Sequence, residues 1–240
     1  MKRIESIKVL ITAHNESHLL TNSVKSVFEN INFAKESHTF ICEVYLNLDF
    51  PDFETRSVAL DLKLLYPDLN LSFSEFRDVS IVRNLFASKF NDAFLFFLDG
   101  DDYWSIDWIQ RFLKIKNKST STIFHPRYTI FYDHNQINIL KSRLLRCRSA
   151  ALSQMMVENI FSSSFICHSN IFKKFQFKSG SIYTDNIYAY EDWSFFRDTM
   201  SHNIKHKLIL GTTHFHFVRH SSNTTASLKS KKIPHPFDLL

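Results

Sequence analysis

One short run constrains this chain more than any other. Ala93 to Leu98 (Ala-Phe-Leu-Phe-Phe-Leu) is apolar at every position and is bounded by polar residues. A strand buried on both faces reads this way, and such strands belong to sheets covered by helices on either side. The run ends in Asp99-Gly100-Asp101-Asp102. Carboxylates this close repel one another unless a cation or a positive side chain is near. A loop after a buried strand can aim two of them at one point, and hard oxygen ligands suit Mg²⁺ or Mn²⁺. The competing reading is a solvated acidic turn, with Asp107 capping the next helix.

The preceding segments alternate. Lys8 to Thr12 reads as a strand. A helix follows, capped by Asn15 or Ser17, with Leu19, Leu20, Val24, Val27 and Phe28 at helical spacing. Phe40 to Leu48 reads as a strand, and Asp52 to Leu65 as a helix ended by Tyr66-Pro67. Leu69 to Phe76 is a third strand. Val79 to Phe90 is a third helix, with Ile81, Val82, Leu85, Phe86 and Phe90 inward. This β-α-β-α-β-α-β order predicts an α/β fold with a mostly parallel central sheet and helices on both faces. Ligands in such sheets bind outside the carboxyl ends of the strands. Thr12-Ala13-His14-Asn15, Asp49 and the acidic loop are therefore expected to open onto one crevice.

The second half is less periodic. Trp108 to Ile115 and Glu191 to Met200 read as helices, and Thr122 to Phe124 and Tyr128 to Tyr132 as strands. Met155 to Phe165 fits either type. Lys207 to Val218 reads as a strand pair, and Ser221 to Leu240 as a loose tail. Residues 1–104 and 105–220 are read as two halves of one domain.

Composition removes several classes. The chain has 3 glycines in 240 residues and neither GxGxxG nor GxxxxGK[ST], which disfavours a dinucleotide fold or a P-loop. A nucleotidyltransferase usually needs a Gly-rich phosphate loop, and Thr12 to Asn22 has no glycine. A haloacid dehalogenase needs a hydroxyl shortly after its second Asp, where Asp102 and Tyr103 stand here. Cys42, Cys147 and Cys167 fit neither a zinc pattern nor a disulfide framework, so a reducing, cytoplasmic setting is expected. The segment Met1 to Leu10 does not read as a signal peptide, and no run of about 18 apolar residues is present. The formal charge is +5, with clusters at Lys141 to Arg148, Lys173-Lys174 and Lys229 to Lys232. These are a solvated face, or they meet an anionic substrate or the anionic inner face of a membrane. No nucleic-acid-binding signature is present.

Further residues carry candidate chemistry. Asp49 can accept a hydrogen bond from a nucleobase, whereas Asp52 reads as a helix cap. Arg83 can pair with phosphate oxygens, or with Asp78 or Glu75. Glu191-Asp192 opens a helix, where carboxylates are stabilised by the dipole. Asp192 can alternatively act as a general base on an acceptor hydroxyl. His214 and His216 share one strand face, so one of them can join a metal. Arg219 can stabilise a leaving diphosphate.

Together these pieces resemble the family 2 glycosyltransferases, which have the GT-A fold. The matching segments are Ile7 to Glu16, Val79 to Asn84, Phe96 to Asp102, Tyr190-Glu191-Asp192-Trp193 and Arg219 to Thr224, in that family's order. The resemblance implies inverting transfer of a sugar from a nucleoside-diphosphate sugar to a hydroxyl of a glycan or lipid-linked acceptor. Residues 1–104 would then bind the nucleotide sugar and 105–220 the acceptor. Thr12, Asn15, Glu16 and Asp49 would line the nucleoside pocket, with Arg83 and Arg219 near the nucleotide. Asp99 would face the ribose or the metal. Asp101 would bind Mg²⁺ or Mn²⁺ with His216 or His214 as a further ligand, Asp102 would shape the turn, and Asp192 would be the base. A non-catalytic binding module on the same fold is the alternative. The family often carries paired acids and Gly-Ser after the second strand, where this chain has Asp49-Phe50-Pro51-Asp52. Val82 replaces its Ala before Arg-Asn.

Overall fold

A computed structural model describes residues 5–143, 148–179 and 191–219. Cys147, His220, Lys229 to Lys232, the Ser221 to Leu240 tail and part of the Lys141 to Arg148 cluster lie outside the described residues.

The first part of the chain folds in the expected order. Strand β1 (Glu5–Ala13), helix α1 (Leu19–Lys35), β2 (Phe40–Asp49), α2 (Phe53–Leu65), β3 (Leu69–Ser74), α3 (Val79–Ser88) and β4 (Phe94–Asp99) succeed one another. β1 pairs in parallel with both β2 and β4, and β2 with β3. The chain thus winds outward to β3 and returns to the other side of β1. That reversal opens a crevice at the carboxyl ends of β1 and β4.

Beyond β4 the sheet becomes mixed, although the longest ladder there, β6 with β9, is still parallel. The elements are β5 (Tyr103–Trp104), α4 (Trp108–Leu113), β6 (Thr122–Tyr132), β7 (Ile137–Lys141), α5 (Arg148–Met155), β8 (Phe165–His168), a 3₁₀ turn (Ser169–Lys173), α6 (Glu191–Ser201) and β9 (Lys205–Phe217). The spatial order is β3-β2-β1-β4-β8-β6-β9-β5, with β7 beside β6. β8 runs antiparallel to β4 and β6, whereas β9 runs parallel to β6.

Alternation along the central strands builds two cores. Ile7, Val9 and Ile11 of β1 and Phe94, Phe96 and Leu98 of β4 face α1 and α4, against Leu20, Val24, Trp108 and Phe112. Leu10, Leu95 and Phe97 face the other way, onto Val82 and Phe86 of α3 and Phe195 and Phe196 of α6. Each buried aromatic or branched side chain contributes about 1.5–3 kcal/mol, so β4 has no face on which a polar residue is tolerated until Asp99.

Several local expectations need correction. Asn15 and Ser17 do not cap α1, whose N-cap is His18 without a side-chain bond. Asn15 Oδ1 instead accepts from Asp52 N–H at 2.8 Å, and Ser17 N–H donates to Thr55 Oγ1 at 2.9 Å. Both residues tie the β1 loop to α2. Asp52 does cap α2, accepting from Thr55 N–H at 2.8 Å. Leu85 is 47% exposed, because Val82, Phe86 and Ala87 already form the inward face of the short α3. Thr122 to Phe124 and Tyr128 to Tyr132 are two ends of β6. Lys207 to Phe217 of the expected strand pair lies on the single strand β9, which ends before Val218. The register jumps from Pro126↔Ile209 to Tyr128↔Thr213. The extra residues surround Gly211 at φ +79°, so the glycine bulges the strand without reversing it. Among the described residues, no helix is long and apolar enough to cross a membrane.

Candidate active site

The acidic loop is clamped to the end of β1. Gly100 N–H donates to Thr12 O at 2.8 Å, and Ser23 Oγ donates to Gly100 O at 2.8 Å. A Cβ at position 100 would lie 2.8 Å from Ala13 Cβ, so only glycine allows this approach.

Each carboxylate of the loop has a countercharge of its own, from a different part of the chain. Asp99 Oδ1 lies 2.5 Å from Arg83 Nη2 and accepts from Thr12 Oγ1 at 3.2 Å. Asp101 Oδ2 lies 2.7 Å from Arg219 Nε. Asp102 Oδ2 faces His214 Nε2 at 2.8 Å and His216 Nδ1 at 3.0 Å, and its Oδ1 accepts from Phe217 N–H at 3.0 Å. The repulsion predicted from sequence is answered by side chains.

Titration follows from these partners. Burial and the charge of Asp102 push Asp101 up to about 8, against the pull of Arg219. Burial also disfavours a charged Asp102, but His216 and His214 outweigh it and hold this carboxyl well below the usual range. Burial lowers His216, yet the adjacent Asp102 raises it to about 9.

Asp102, His214 and His216 offer three ligand atoms within 4.8 Å of one another. Metal–ligand bonds of about 2.1 Å put neighbouring ligand atoms about 3 Å apart, and Asp102 Oδ2 stands at such distances from His214 Nε2 and His216 Nδ1. Two imidazoles beside one carboxylate suit Mn²⁺ better than Mg²⁺. The residues present thus fit a divalent ion.

Arg83 joins this loop to α6. It is 2% exposed, and its Nη1 lies 2.9 Å from Glu191 Oε1 while Nη2 holds Asp99. Neither Asp78 nor Glu75 is its ion-pair partner. Asp78 caps α3 instead, accepting from Ser80 N–H at 2.8 Å. Glu191 is pushed up to about 7 by burial and by Asp192, with Arg83 opposing. Asp192 is raised chiefly by burial, and its Oδ2 accepts from Asn159 Nδ2 at 3.0 Å.

On the β2 side Asp49 is a scaffold. Its Oδ1 accepts from Ser74 Oγ at 2.9 Å and Phe76 N–H at 2.7 Å, and its Oδ2 from Asp78 N–H at 2.9 Å. His14 Nδ1 donates to Asp49 O at 2.7 Å. Phe50, at φ +54°, lies under the Arg77 guanidinium 3.5 Å from its ring. The left-handed turn that a glycine would make easily is thus made by a phenylalanine held by its neighbours. Glu16 is only 6% exposed and pairs with Arg219 Nη2 at 2.6 Å. Arg219 Nη1 also donates to Asn15 O at 3.2 Å.

The expected residues therefore gather at one end of the sheet. Thr12, Asp99 and Arg83 are in contact. So are Asn15, Glu16, Arg219 and Asp101. His214 and His216 meet Asp102 rather than Asp101, a pairing that sequence did not indicate. Only the alternation of the two histidines pointed to a shared target. The roles of Glu191 in holding Arg83 and of Asn159 in binding Asp192 left no local signal.

Comparison with known proteins bears on this arrangement. No curated protein matches the chain. Among solved structures, S. aureus TarS residues 1–349 in complex with UDP-GlcNAc superposes with a TM-score of 0.68 at 13% identity, over 92% of this chain and 61% of that one. GalNAc-T7 with UDP, GalNAc and Mn²⁺ gives 0.62 at 15% identity, over 93% and 47%. This chain thus spans about half to three fifths of those two, and 37% of a longer TarS structure. At such identity these likenesses establish the GT-A-like fold. The profile described as glycosyl transferase family 2 matches residues 8–179. With most of its length matched and the fold shared, the chain belongs to glycosyl transferase family 2.

Proposed function

We propose that this chain is an inverting, metal-dependent glycosyltransferase that moves a sugar from a nucleoside-diphosphate sugar to a hydroxyl of a growing cell-surface glycan. One observation carries the reading. Arg83 grips Asp99 with one nitrogen and Glu191 with the other, so the donor-side loop and the Glu191-Asp192 pair sit at one centre. UDP or a UDP-sugar in the TarS and GalNAc-T7 structures supports a nucleotide donor of that kind.

In this reading Thr12, Asn15 and Glu16 line the nucleoside pocket. Asp49 shapes it by holding the β3–α3 loop. Asp99 faces the ribose. Asp102, His214 and His216 would hold Mn²⁺, with Asp101 and Arg219 on the side of the diphosphate. When bound, such an ion would supply positive charge that the leaving diphosphate needs. Asp192 accepts the proton of the acceptor hydroxyl, a task favoured by a carboxylate made more basic through burial. The freed oxygen attacks the anomeric carbon on the face opposite the diphosphate. That C–O bond forms as the bond to the diphosphate breaks, so the configuration inverts. Work on a lipid-linked glycan at the inner face of a membrane is compatible with the +5 charge.

Nucleotide release from UDP-, GDP- and dTDP-sugars, with Mn²⁺ and with EDTA, tests this. Asp192→Asn should lower turnover by about 10²–10⁴-fold while nucleotide-dependent thermal stabilisation persists. Full turnover in that variant, or in EDTA, would sink the mechanism.

A further inference from the structure

Asp192 lies in the first turn of α6 and is buried. One side chain from outside that helix holds it. Asn159 Nδ2 donates to Asp192 Oδ2 at 3.0 Å. The amide has only one workable orientation. Phe161 N–H donates to Asn159 Oδ1 at 3.2 Å. A backbone N–H can only donate, so the amide oxygen must face Phe161 and the NH₂ group must face Asp192. Asn159 is itself fixed at both ends. On one side Trp193 Nε1, next in sequence to Asp192, donates to Met155 O at the end of α5 at 2.6 Å. On the other side Phe161 is buried and stacks on His125 at 3.7 Å. Further along, Ser164 Oγ donates to Phe97 O at 2.9 Å and accepts from Trp104 Nε1 at 2.8 Å. The segment that carries Asn159 is thus pinned to α6 and to β4, the strand that leads into the acidic loop.

The charges around Asp192 come from other elements. Burial raises it, Arg83 of α3 and the Trp193 N–H lower it, Asp99 of β4 raises it, and the Asn159 bond lowers it. Glu191 beside it is paired with Arg83. Glu158, the carboxylate next to Asn159, is exposed and accepts from Gln154. Asn159 carries no charge, so it acts on the carboxylate through one directed bond that favours the ionised form. We propose that Asn159 is a positioning residue, which holds one oxygen of Asp192 so that the carboxylate keeps a single orientation toward the acceptor hydroxyl. The proposal rests on the glycosyltransferase reading for the role of Asp192 as the base.

Asn159→Asp separates this role from a merely structural one. The variant is nearly isosteric and keeps an oxygen for Phe161 N–H, so the turn survives. It replaces the donor to Asp192 by a second carboxylate. Nucleotide release from UDP-, GDP- and dTDP-sugars, with Mn²⁺ and with water as the acceptor, is followed across pH in the whole chain. Asn159→Asp should lower kcat by about 10²-fold and leave the donor KM unchanged, because the base is misplaced and the donor site is not. The acid limb of kcat should move to higher pH, since two adjacent carboxylates make each other harder to ionise. Asn159→Ala, which adds no charge, should move it less. Carboxyl ¹³C NMR reads Asp192 without any turnover, with Asp192→Asn assigning the signal. That signal should titrate about one pH unit higher in Asn159→Ala than in wild type, and higher still in Asn159→Asp. Wild-type kcat and an unmoved acid limb in Asn159→Asp would mean that Asn159 only closes a turn, and the proposal is overturned. A loss of turnover with an unmoved Asp192 titration overturns it too. If wild type releases no nucleotide from any sugar, the glycosyltransferase reading falls, while the carboxyl titration still decides whether Asn159 governs Asp192.

Discussion

The two ends of the acidic loop are neutralised differently. At Asp99 the countercharge is Arg83, a buried guanidinium shared with Glu191. At Asp102 it is two imidazoles of one strand, His214 and His216. A guanidinium keeps its charge at every accessible pH and binds no metal. An imidazole can lose its proton and become a ligand. One end of the loop is therefore a fixed structural joint, and the other can exchange protons for a cation. The difference suggests where the molecule is rigid and where it can respond to a ligand.

Removing the fixed joint should have the largest effect. Arg83→Met leaves Asp99 and Glu191 buried without a cation, which should cost about 3–5 kcal/mol of stability. Urea denaturation would read this as a lower midpoint. An unchanged midpoint would mean that the two carboxylates take up protons without penalty and that Arg83 is not a joint. Arg83→Lys should fall between, since an ammonium cannot fork to both partners.

The exchangeable end predicts a different loss. His214→Ala should weaken Mn²⁺ binding by about 100-fold or more, as measured by isothermal calorimetry, with a smaller change in stability than Arg83→Met. Equal Mn²⁺ affinity in wild type and variant would remove the distinction between the two ends.

A second imidazole pair sharpens the contrast through pH. His125 Nε2 and His206 Nδ1 lie 2.8 Å apart, and Thr199 Oγ1 is 3.2 Å from His206 Nε2. Burial lowers both histidines, His206 to about 3 and His125 well below its ordinary value, with His206 adding to the effect on His125. The unfolded chain then binds protons below about pH 6.5 that the native state refuses. Their burial has no pH-dependent cost above pH 6.5. As pH falls below it, stability should drop by about 1.4 kcal/mol per pH unit for each group. For His206 the loss continues toward pH 3. His206→Gln should flatten this slope in acid denaturation curves. An unaltered slope would assign acid lability to the carboxylates.

The same contrast separates what the sequence reveals from what it hides. Ala93 to Leu98 could be assigned because a strand buried on both faces needs no knowledge of its partners. Asp52 was legible as a cap because capping is settled within three residues. The β6 and β9 strands depend on one another across some eighty residues, and the Gly211 bulge appears only in their register. The pairing of Asp102 with His214 and His216 spans more than a hundred residues. Alternation gave the two histidines a common face, but only the fold brings Asp102 to it. Arg83 was visible as a charge near Asp78, yet helix geometry turns it inward to residues 99 and 191.

The smallest expected effect tests the locally determined end of that scale. Asp52 caps α2 through Thr55 N–H, while its own N–H donates to Asn15 Oδ1. Asp52→Ala removes the first bond and keeps the second, since the second uses only the backbone. The loss should be about 1 kcal/mol, and Asp52→Asn should restore most of it because an amide oxygen accepts the same bond. Nucleotide-dependent stabilisation should be unchanged, since Asn15 stays tied to α2. A larger loss accompanied by weaker nucleotide binding would mean that the cap also positions the β1 loop. A nominally local feature would then behave like the long-range joints around Asp99 and Asp102.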